Sequence, residues 1–332
     1  MKSPFTGKEM QRVYEKRIWN FRGEQYEYEH SSWFCSDSGE SFTDDLSDTA
    51  GYVQVTNQYR DKYGIPYTDE IISIRNKYDI SAAKMSLILG IGVNQYRKYE
   101  QGEVPSVSNG RMIRSVSNPK VMLEMVESSK NEMSQSEYEK IANKVKSIIA
   151  DSDSYKLEQY EIKRIFSTLR NKENGYAQLS LDRLKNVMLY ILERCDDVWC
   201  TKMNKLLFYV DFLSYRDSGM AITGLSYRAV DFGPVPERWE KVYSEFPEVH
   251  QEFRQAGDFE GSVLIATQNA DVSLFTDFEL QVMDKVCSLL GKKSSRELSR
   301  ISHEEKAWKE YCDNHEKIPF NEAFSIRVAS LL

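Results

Sequence analysis

The segment His303–Ala307 is the place where the sequence comes nearest to a zinc-peptidase motif. That motif, His-Glu-x-x-His, sets two imidazole ligands on one helical face, with a glutamate as general base. Ala307 occupies the position of the second histidine, so the ligand pair is incomplete. The sequence holds four histidines and lacks the Gly-x-Ser-x-Gly, P-loop and Gly-x-Gly-x-x-Gly motifs of common enzyme classes. We therefore predict that the protein is not an enzyme.

Amide and basic side chains lie close together at a second place in the sequence. Asn94 and Gln95 carry amides that can pair with adenine in the major groove. Arg97 and Lys98 follow within one helical turn and can reach guanine or phosphate. A helix that reads DNA needs short polar and basic side chains near its start. We therefore predict that these four residues bind DNA.

The elements around these residues follow the order of a helix-turn-helix. Ser81 is a favourable N-cap for a helix over Ala82–Leu89, and Gly90 is a favourable stop. A second, polar helix is predicted over Gly92–Glu100. Between residues 69 and 118 seven basic residues face five acidic ones, whereas the whole chain has a net charge of −7. The alternative is a helical bundle whose polar helix is merely exposed to solvent.

A third group of candidate residues surrounds a rigid turn near the C-terminal end. In Phe232–Pro236 a glycine permits unusual backbone angles, and Pro234 and Pro236 flank Val235. A rigid turn loses little entropy on binding, which favours a protein interface. Trp239 and Tyr243 lie one helical turn apart and are aromatic anchor candidates. The alternative for Phe232 and Trp239 is packing in their own core.

Hydrophobic periodicity predicts a mainly α fold with small β elements, of the α+β class. Alternating residues in 1–56 predict a small β ribbon, which the acidic run at Asp44, Asp45 and Asp48 joins to the rest as a solvated linker. Residues 57–130 are predicted to be a helical domain and residues 131–178 a helical connector. Residues 179–332 are predicted to be mainly helical with a small sheet.

The composition of the 332 residues excludes several classes of protein. With 41% hydrophobic and 29% charged residues, the chain has the composition of a folded protein. No apolar run is long enough to span a membrane, and the N-terminus has no signal-peptide pattern. Five scattered cysteines do not form a disulfide framework. These features predict a cytoplasmic protein that is not bound to a membrane.

The segment Gly92–Gly102 resembles the recognition helix of the Xre-like domain in MqsA-type antitoxins. The resemblance implies that Asn94 and the basic residue Lys98 read operator bases. The family has arginine at the position of Lys98, and lysine lacks the bidentate fork of arginine. MqsA-type antitoxins dimerise through this domain, which implies a homodimer and a palindromic operator.

The same family begins with a zinc ribbon of two Cys-x-x-Cys-Gly knuckles. Here Ser3–Gly7 and Cys35–Gly39 keep the spacing and the glycines without the thiolates. A structural zinc ion needs four cysteine or histidine ligands, whereas Cys35 and the nearby His30 offer two. We therefore predict no zinc and no other cofactor.

The C-terminal region resembles the SocA-like, or Panacea, antitoxin domain over residues 179–332. Three segments carry the resemblance: Lys202–Asp211, the turn at Tyr227–Pro236, and Leu298–Lys309 with its Ser-His and Ala-Trp pairs. The resemblance implies a domain that binds and neutralises a toxin encoded beside it. The toxin-binding candidates are the aromatic, turn and histidine residues of this region, namely Tyr227, Phe232, Pro234, Val235, Trp239, Tyr243, His303 and Trp308.

These observations together predict a type II antitoxin. Its partners are a toxin encoded by the adjacent gene and double-stranded operator DNA. The alternative is a one-component transcriptional regulator whose C-terminal domain senses a small ligand.

Overall fold

The fold was examined in a computed structural model, which describes residues 1–151, 160–256 and 259–328. The chain divides into two compact units: Met1–Val55 together with Glu161–Leu332, and Thr56–Tyr160. Helices dominate and the sheets are small, so the predicted α+β class is confirmed. None of the helices within the described ranges is long and apolar enough to cross a membrane.

The chain begins with a long antiparallel hairpin. Strands β1 (Gln11–Phe21) and β2 (Glu24–Phe34) pair along their whole length, and β3 (Ser41–Phe42) adds to the end of β2. Arg22 and Gly23 both have positive φ angles. This backbone twist is the one that matches the strands of a tight hairpin. The predicted ribbon is therefore present as three strands.

The acidic run after the ribbon is helical, and the prediction of a solvated linker is wrong. Helix α1 (Asp45–Tyr63) begins there. Asp44 accepts hydrogen bonds from the backbone N–H and the hydroxyl of Ser47 (2.8 and 2.6 Å) and from Trp33 Nε1 (2.8 Å). Aspartate is a strong helix N-cap, and acidic residues stabilise the first turn. The run is therefore a helix start rather than a linker.

The unit Thr56–Tyr160 is helical. Besides the end of α1, its residues up to 151 include the α-helices α2 (Thr68–Lys77), α3 (Ala82–Ile88), α4 (Gln95–Glu100), α5 (Val107–Ser115), α6 (Pro119–Ser128) and α7 (Gln135–Ala150). Ser81 caps α3 by accepting from Lys84 N (3.2 Å), as predicted. The buried apolar residues of α2 to α7 form one core.

The other unit is built around one central helix. From residue 181 onward its α-helices and strands are α8 (Leu181–Arg194), α9 (Cys200–Ser218), β4 (Tyr227–Val230), β5 (Gly233–Pro236), α10 (Trp239–Glu245), β6 (Val249–Ala256), β7 (Phe259–Ala266), α11 (Asp277–Leu290), α12 (Ser295–Glu304) and α13 (Lys306–Lys309). In α9, 17 of 19 residues are buried. A helix that is buried on every side is the core around which neighbouring elements pack.

The capping boxes predicted from the sequence open two of these helices. Thr276 and Glu279 open α11, and Ser294 and Glu297 open α12, with both reciprocal bonds formed in each pair. The strand predicted over Leu225–Phe232 is observed as β4, and the one at Val263–Ala266 is the end of β7. Local sequence signals therefore locate these elements well.

The N-terminal ribbon packs against the C-terminal elements within one unit. Asp217, at the end of α9, accepts hydrogen bonds from Arg12 of β1 (2.9 Å) and from its neighbour Arg216 (2.7 and 3.0 Å). At Gly219 an added Cβ would lie 3.1 Å from the backbone of Ala50 and Gln54 in α1. Ribbon and C-terminal elements therefore share a buried polar contact and a close backbone approach.

Candidate functional site

The four DNA-binding candidates lie at the start of α4. Asn94, Arg97 and Lys98 are exposed, whereas Gln95 is half-buried and donates a hydrogen bond from Nε2 to Glu103 (2.9 Å). The helix starts at Gln95 rather than at Gly92, so its predicted start is wrong. Gly92 (φ 93°) and Asn94 (φ 60°) adopt left-handed angles, which cannot continue into a right-handed helix. Asn94 is therefore the residue that leads into the helix.

Two buried tyrosines hold α4 in place. The Tyr96 hydroxyl donates to Ile71 O of α2 (2.7 Å), and its backbone N–H donates to Ser86 Oγ of α3 (2.9 Å). The Tyr99 hydroxyl accepts from Asn109 Nδ2 (2.9 Å). The exposed residues of α4 thus alternate with anchored ones, and the anchors fix the direction in which Arg97 and Lys98 project. Val93, directly before Asn94, is 90% exposed and was not among the residues predicted from the sequence.

A hydroxyl–thiol cluster occupies the two knuckle-like turns of the ribbon. We define it as Ser3, Thr6, Cys35 and Ser38, which stand at the Cys-x-x-Cys spacing. Hydrogen bonds from the hydroxyls of Ser3 and Ser38 lower the pKa of the Cys35 thiol to about 6, and Thr6 Oγ1 lies 3.7 Å from its Sγ. Each turn closes with a backbone bond from its glycine, Gly7 N to Ser3 O and Gly39 N to Cys35 O (both 2.9 Å).

The chemistry of this cluster does not suit a zinc ion. Hydroxyl oxygens are not among the cysteine and histidine ligands that structural zinc selects. Within the described ranges no group of three or more histidine, cysteine, aspartate or glutamate residues is arranged to hold a metal. The cluster instead satisfies its polar atoms by hydrogen bonding among its own members.

The three C-terminal segments singled out from the sequence meet in space. A Cβ added to Gly233 (φ 105°), in the Phe232–Pro236 turn, would lie 2.6 Å from Ser302 Oγ of α12. The same Cβ would lie 2.9 Å from Lys205 Cε and 3.5 Å from Lys205 Nζ of α9. Only glycine allows both this backbone angle and this approach. We call Lys205, Gly233, Ser302 and His303 the Lys205 cluster.

Lys205 and Lys202 are buried lysines on the same helix, and they differ in whether their ammonium groups have hydrogen-bond acceptors. Lys202 Nζ donates to the carbonyl oxygens of Gly291 (2.7 Å) and Asp196. Lys205 is 0% exposed, and its Nζ has no hydrogen-bond partner among the described residues. Burial alone lowers the pKa of Lys205 to about 8. A buried ammonium without an acceptor is costly, so Lys205 is a candidate functional residue, although its sequence context did not distinguish it.

His303 is a second polar group without a partner beside this lysine. Its ring stacks on Trp308 (centroids 4.0 Å apart, 18° between planes), and its Nε2 is buried with no partner in the described part of the chain. Burial, and then the charge of Lys205, lower the pKa of His303. Trp308 Nε1 donates to Val230 O of β4 (2.9 Å), which ties this pair to the turn.

The remaining predicted binding residues separate into core and surface. Tyr227 and Tyr243 are 0% and 1% exposed, and their hydroxyls donate to Asp211 (2.6 Å) and Asn204 (2.5 Å) of α9. Pro234 and Val235 are buried as well. The side chains of Phe232 and Trp239 are 70% and 37% exposed. Phe232 and Trp239 are therefore at the surface, whereas Tyr227 and Tyr243 are buried and bonded to α9.

The part of the chain that contains the Lys205 cluster matches the model of a known protein family. The family model described as "Antitoxin SocA-like, Panacea domain" matches residues 203–309. This segment is therefore similar to a SocA-like, Panacea antitoxin domain. The match covers roughly a third of the chain and includes Lys205, Gly233, Ser302 and His303. A search of curated proteins and a search of solved structures give no significant match. The Panacea domain supports an antitoxin role in general, and with it a toxin partner.

Proposed function

We propose that the chain is the antitoxin of a type II toxin–antitoxin pair. It neutralises a toxin encoded by the adjacent gene through direct binding by its C-terminal domain. The observation that carries the proposal is the SocA/Panacea domain at residues 203–309, whose three motif segments converge on the Lys205 cluster. The domain acts by covering the active surface of the toxin, not by catalysis.

The neutralising unit in this proposal includes the N-terminal ribbon. The contact between the ribbon and α9 supports this role. There Arg12 of β1 and Arg216 of α9 both donate hydrogen bonds to the carboxylate of Asp217. Phe324 lies between Tyr14 of β1 and Tyr215 of α9, at ring-centroid distances of 5.5 and 6.1 Å. We therefore expect a fragment that starts at residue 179 to expose surface that the full chain buries.

We further propose that the helix-turn-helix represses the shared operon. A homodimer binds a palindromic, double-stranded operator through α4, with Asn94, Gln95, Arg97 and Lys98 contacting bases and phosphates. Exposure of Asn94, Arg97 and Lys98 beside the anchored Tyr96 and Tyr99 supports this role. A toxin and an operator as partners also place the protein in the cytoplasm.

The experiment for neutralisation is co-expression with the adjacent gene, scored by growth. We expect that the neighbour alone stops growth, and that the full chain restores it. The double variant Arg97→Ala/Lys98→Ala restores growth equally, because it leaves the C-terminal domain intact. A neighbour that is harmless, or toxicity that the full chain does not relieve, contradicts the proposal and favours the ligand-sensing regulator.

The experiment for repression is DNA binding to the region upstream of the gene. Asn94→Ala is expected to weaken specific binding about 10-fold, as loss of one bidentate base contact does, and to leave non-specific binding unchanged. Lys120→Ala, on the exposed side of α6, is the matched surface control and is expected to have little effect. Equal binding of Asn94→Ala and the wild-type chain contradicts base reading by this residue.

A further inference from the structure

Two side-chain nitrogen atoms of the Lys205 cluster lack hydrogen-bond partners within the described ranges. Lys205 Nζ and His303 Nε2 are both buried, and neither has an acceptor or donor partner among the described residues. No acidic side chain acts on the pKa of Lys205, which burial alone lowers. Ser302 Oγ, the nearest hydroxyl to Gly233, already donates to Ser299 O (2.9 Å). The fold therefore supplies two nitrogen groups and no anion between them.

The acidic residues at the border of the cluster are engaged elsewhere. Asp231, next to the turn, pairs with His315 (2.9 Å), and Glu304 pairs with Lys309 (2.8 Å). Glu305 is 2% exposed and accepts from the backbone N–H groups of Arg327 (2.7 Å) and Val328 (3.1 Å). None of these carboxylates is placed to serve Lys205, so the described residues supply no anionic partner for its ammonium group.

We propose that Lys205, assisted by His303, is an anion site that receives a carboxylate side chain of the bound toxin. This inference rests on the proposed function. A buried ammonium gains most from a charged hydrogen bond that excludes water, because such bonds are stronger than neutral ones.

The surface around the turn favours a protein carboxylate over a small free anion. Phe232 is 70% exposed at the tip of the β4–β5 hairpin, and Trp239 is 37% exposed at the start of α10. Aromatic residues around a central buried polar contact are typical of the energetic centre of a protein interface. A small anion would use the ammonium and leave these aromatic side chains in water.

The test measures the affinity of the purified full chain for the purified product of the adjacent gene. Lys205→Met keeps the length and bulk of the side chain and removes its charge. Lys241→Met, at an exposed position on α10, is the matched control for loss of one positive charge. We expect Lys205→Met to weaken binding at least 10-fold and Lys241→Met to change it less than twofold. Thermal unfolding of each variant shows whether it is folded.

A competition experiment with the wild-type chain tests the carboxylate itself and needs no variant. Sodium acetate is compared with sodium chloride at equal ionic strength. We expect acetate to weaken the wild-type complex more than chloride does. The Lys205→Met complex, where it forms, is expected to respond equally to both salts.

The outcomes separate the inference from the proposed function. If the wild-type chain does not bind the neighbouring product, the proposed function fails and the inference fails with it. If the wild-type chain binds and Lys205→Met binds equally, only the inference is overturned. A loss of binding by Lys205→Met without a specific acetate effect assigns Lys205 a structural role and also overturns it.

Discussion

The ribbon and the C-terminal domain each contain a polar cluster around one buried side chain, Cys35 in the ribbon and Lys205 in the C-terminal domain. The two clusters differ in how many of their polar atoms have hydrogen-bond partners. In the hydroxyl–thiol cluster the hydroxyls of Ser3 and Ser38 donate to the Cys35 thiol, with Thr6 close by. In the Lys205 cluster, Lys205 Nζ and His303 Nε2 have no hydrogen-bond partners among the described residues. Satisfied polar groups stabilise a fold, whereas unsatisfied buried groups cost stability and are kept for another purpose. The first cluster is therefore structural, and the second is the candidate binding site.

The largest expected effect comes from breaking a satisfied contact between the ribbon and α9. Asp217→Asn removes the negative charge that Arg12 and Arg216 share. It leaves the buried guanidinium of Arg216 and the half-buried guanidinium of Arg12 without a carboxylate partner. We expect a loss of ~3–5 kcal/mol in unfolding free energy, the usual cost of an orphaned buried charge. Urea unfolding measures it.

A matched aspartate shows whether burial is the reason for this loss. Asp231→Asn breaks the exposed pair with His315, in which the Asp231 side chain is 80% exposed. We expect a change of ~0.5 kcal/mol or less, because exposed ion pairs contribute little. Equal losses of unfolding free energy in the two variants would show that burial does not make the ribbon contact more stabilising than an exposed ion pair.

The two buried lysines of α9 give the sharpest contrast. Lys202→Met leaves the carbonyls of Asp196 and Gly291 without their donor and is expected to destabilise the chain by ~2–4 kcal/mol. Lys205→Met removes an uncompensated charge and is expected to stabilise it by ~1–3 kcal/mol. Opposite signs in unfolding free energy support the comparison. A destabilising Lys205→Met would mean that its amine does have a partner.

The pH dependence of stability tests the charge on Lys205. Its pKa in the folded chain is about 8, whereas an unfolded lysine titrates near ~10.4. Between these values the unfolded chain holds more protons, so this group makes stability rise with pH. We expect most of the advantage of Lys205→Met over the wild-type chain to disappear between pH 7 and pH 11. An advantage that does not change with pH contradicts a buried charged amine.

The smallest expected effect on function comes from changing the hydroxyl–thiol cluster. Ser3→Cys/Thr6→Cys/Ser38→Cys supplies three further thiolates at the knuckle spacing. We expect this variant to bind one zinc ion per chain, measured by metal analysis, because four thiolates form a structural zinc site. Neutralisation is expected to be unchanged, because the proposed binding site lies in the C-terminal domain.

A control variant with the same number of cysteines tests the geometry. Ser3→Cys/Thr6→Cys/Ser36→Cys places the last thiol at an exposed neighbouring position. We expect it to bind zinc more weakly than the variant at Ser38. Equal zinc binding by both variants would mean that the two turns do not set the ligand positions.

The sequence predicts local features of this fold well, because their causes are local. The capping boxes at Thr276 and Ser294, the cap at Ser81 and the rigid turn at Gly233 follow from neighbouring residues. Asp44 is also a favourable helix N-cap residue, but the negative charge of its segment led to the prediction of a solvated linker.

The functional contrast could not be predicted in the same way. Lys202 and Lys205 are three residues apart, and one of the acceptors that distinguish them comes from Gly291, 89 residues from Lys202. Likewise, Arg12 and Asp217 are 205 residues apart in the sequence, and the residues around them do not indicate that they pair. Tyr227 and Tyr243 are as aromatic as Phe232 and Trp239, and only the packing around α9 separates core from surface. Tertiary contacts thus decide which member of a motif is available.

Hydrogen–deuterium exchange of the full chain, alone and with the product of the adjacent gene, tests the comparison most directly. Our account predicts slower exchange on complex formation in residues 228–238 and 299–309, which contain the turn and the His303–Trp308 pair. It predicts no change in residues 1–10 and 33–42, which contain the hydroxyl–thiol cluster. Protection of the ribbon turns without protection around Lys205 would contradict the assignment of the binding site to the C-terminal domain.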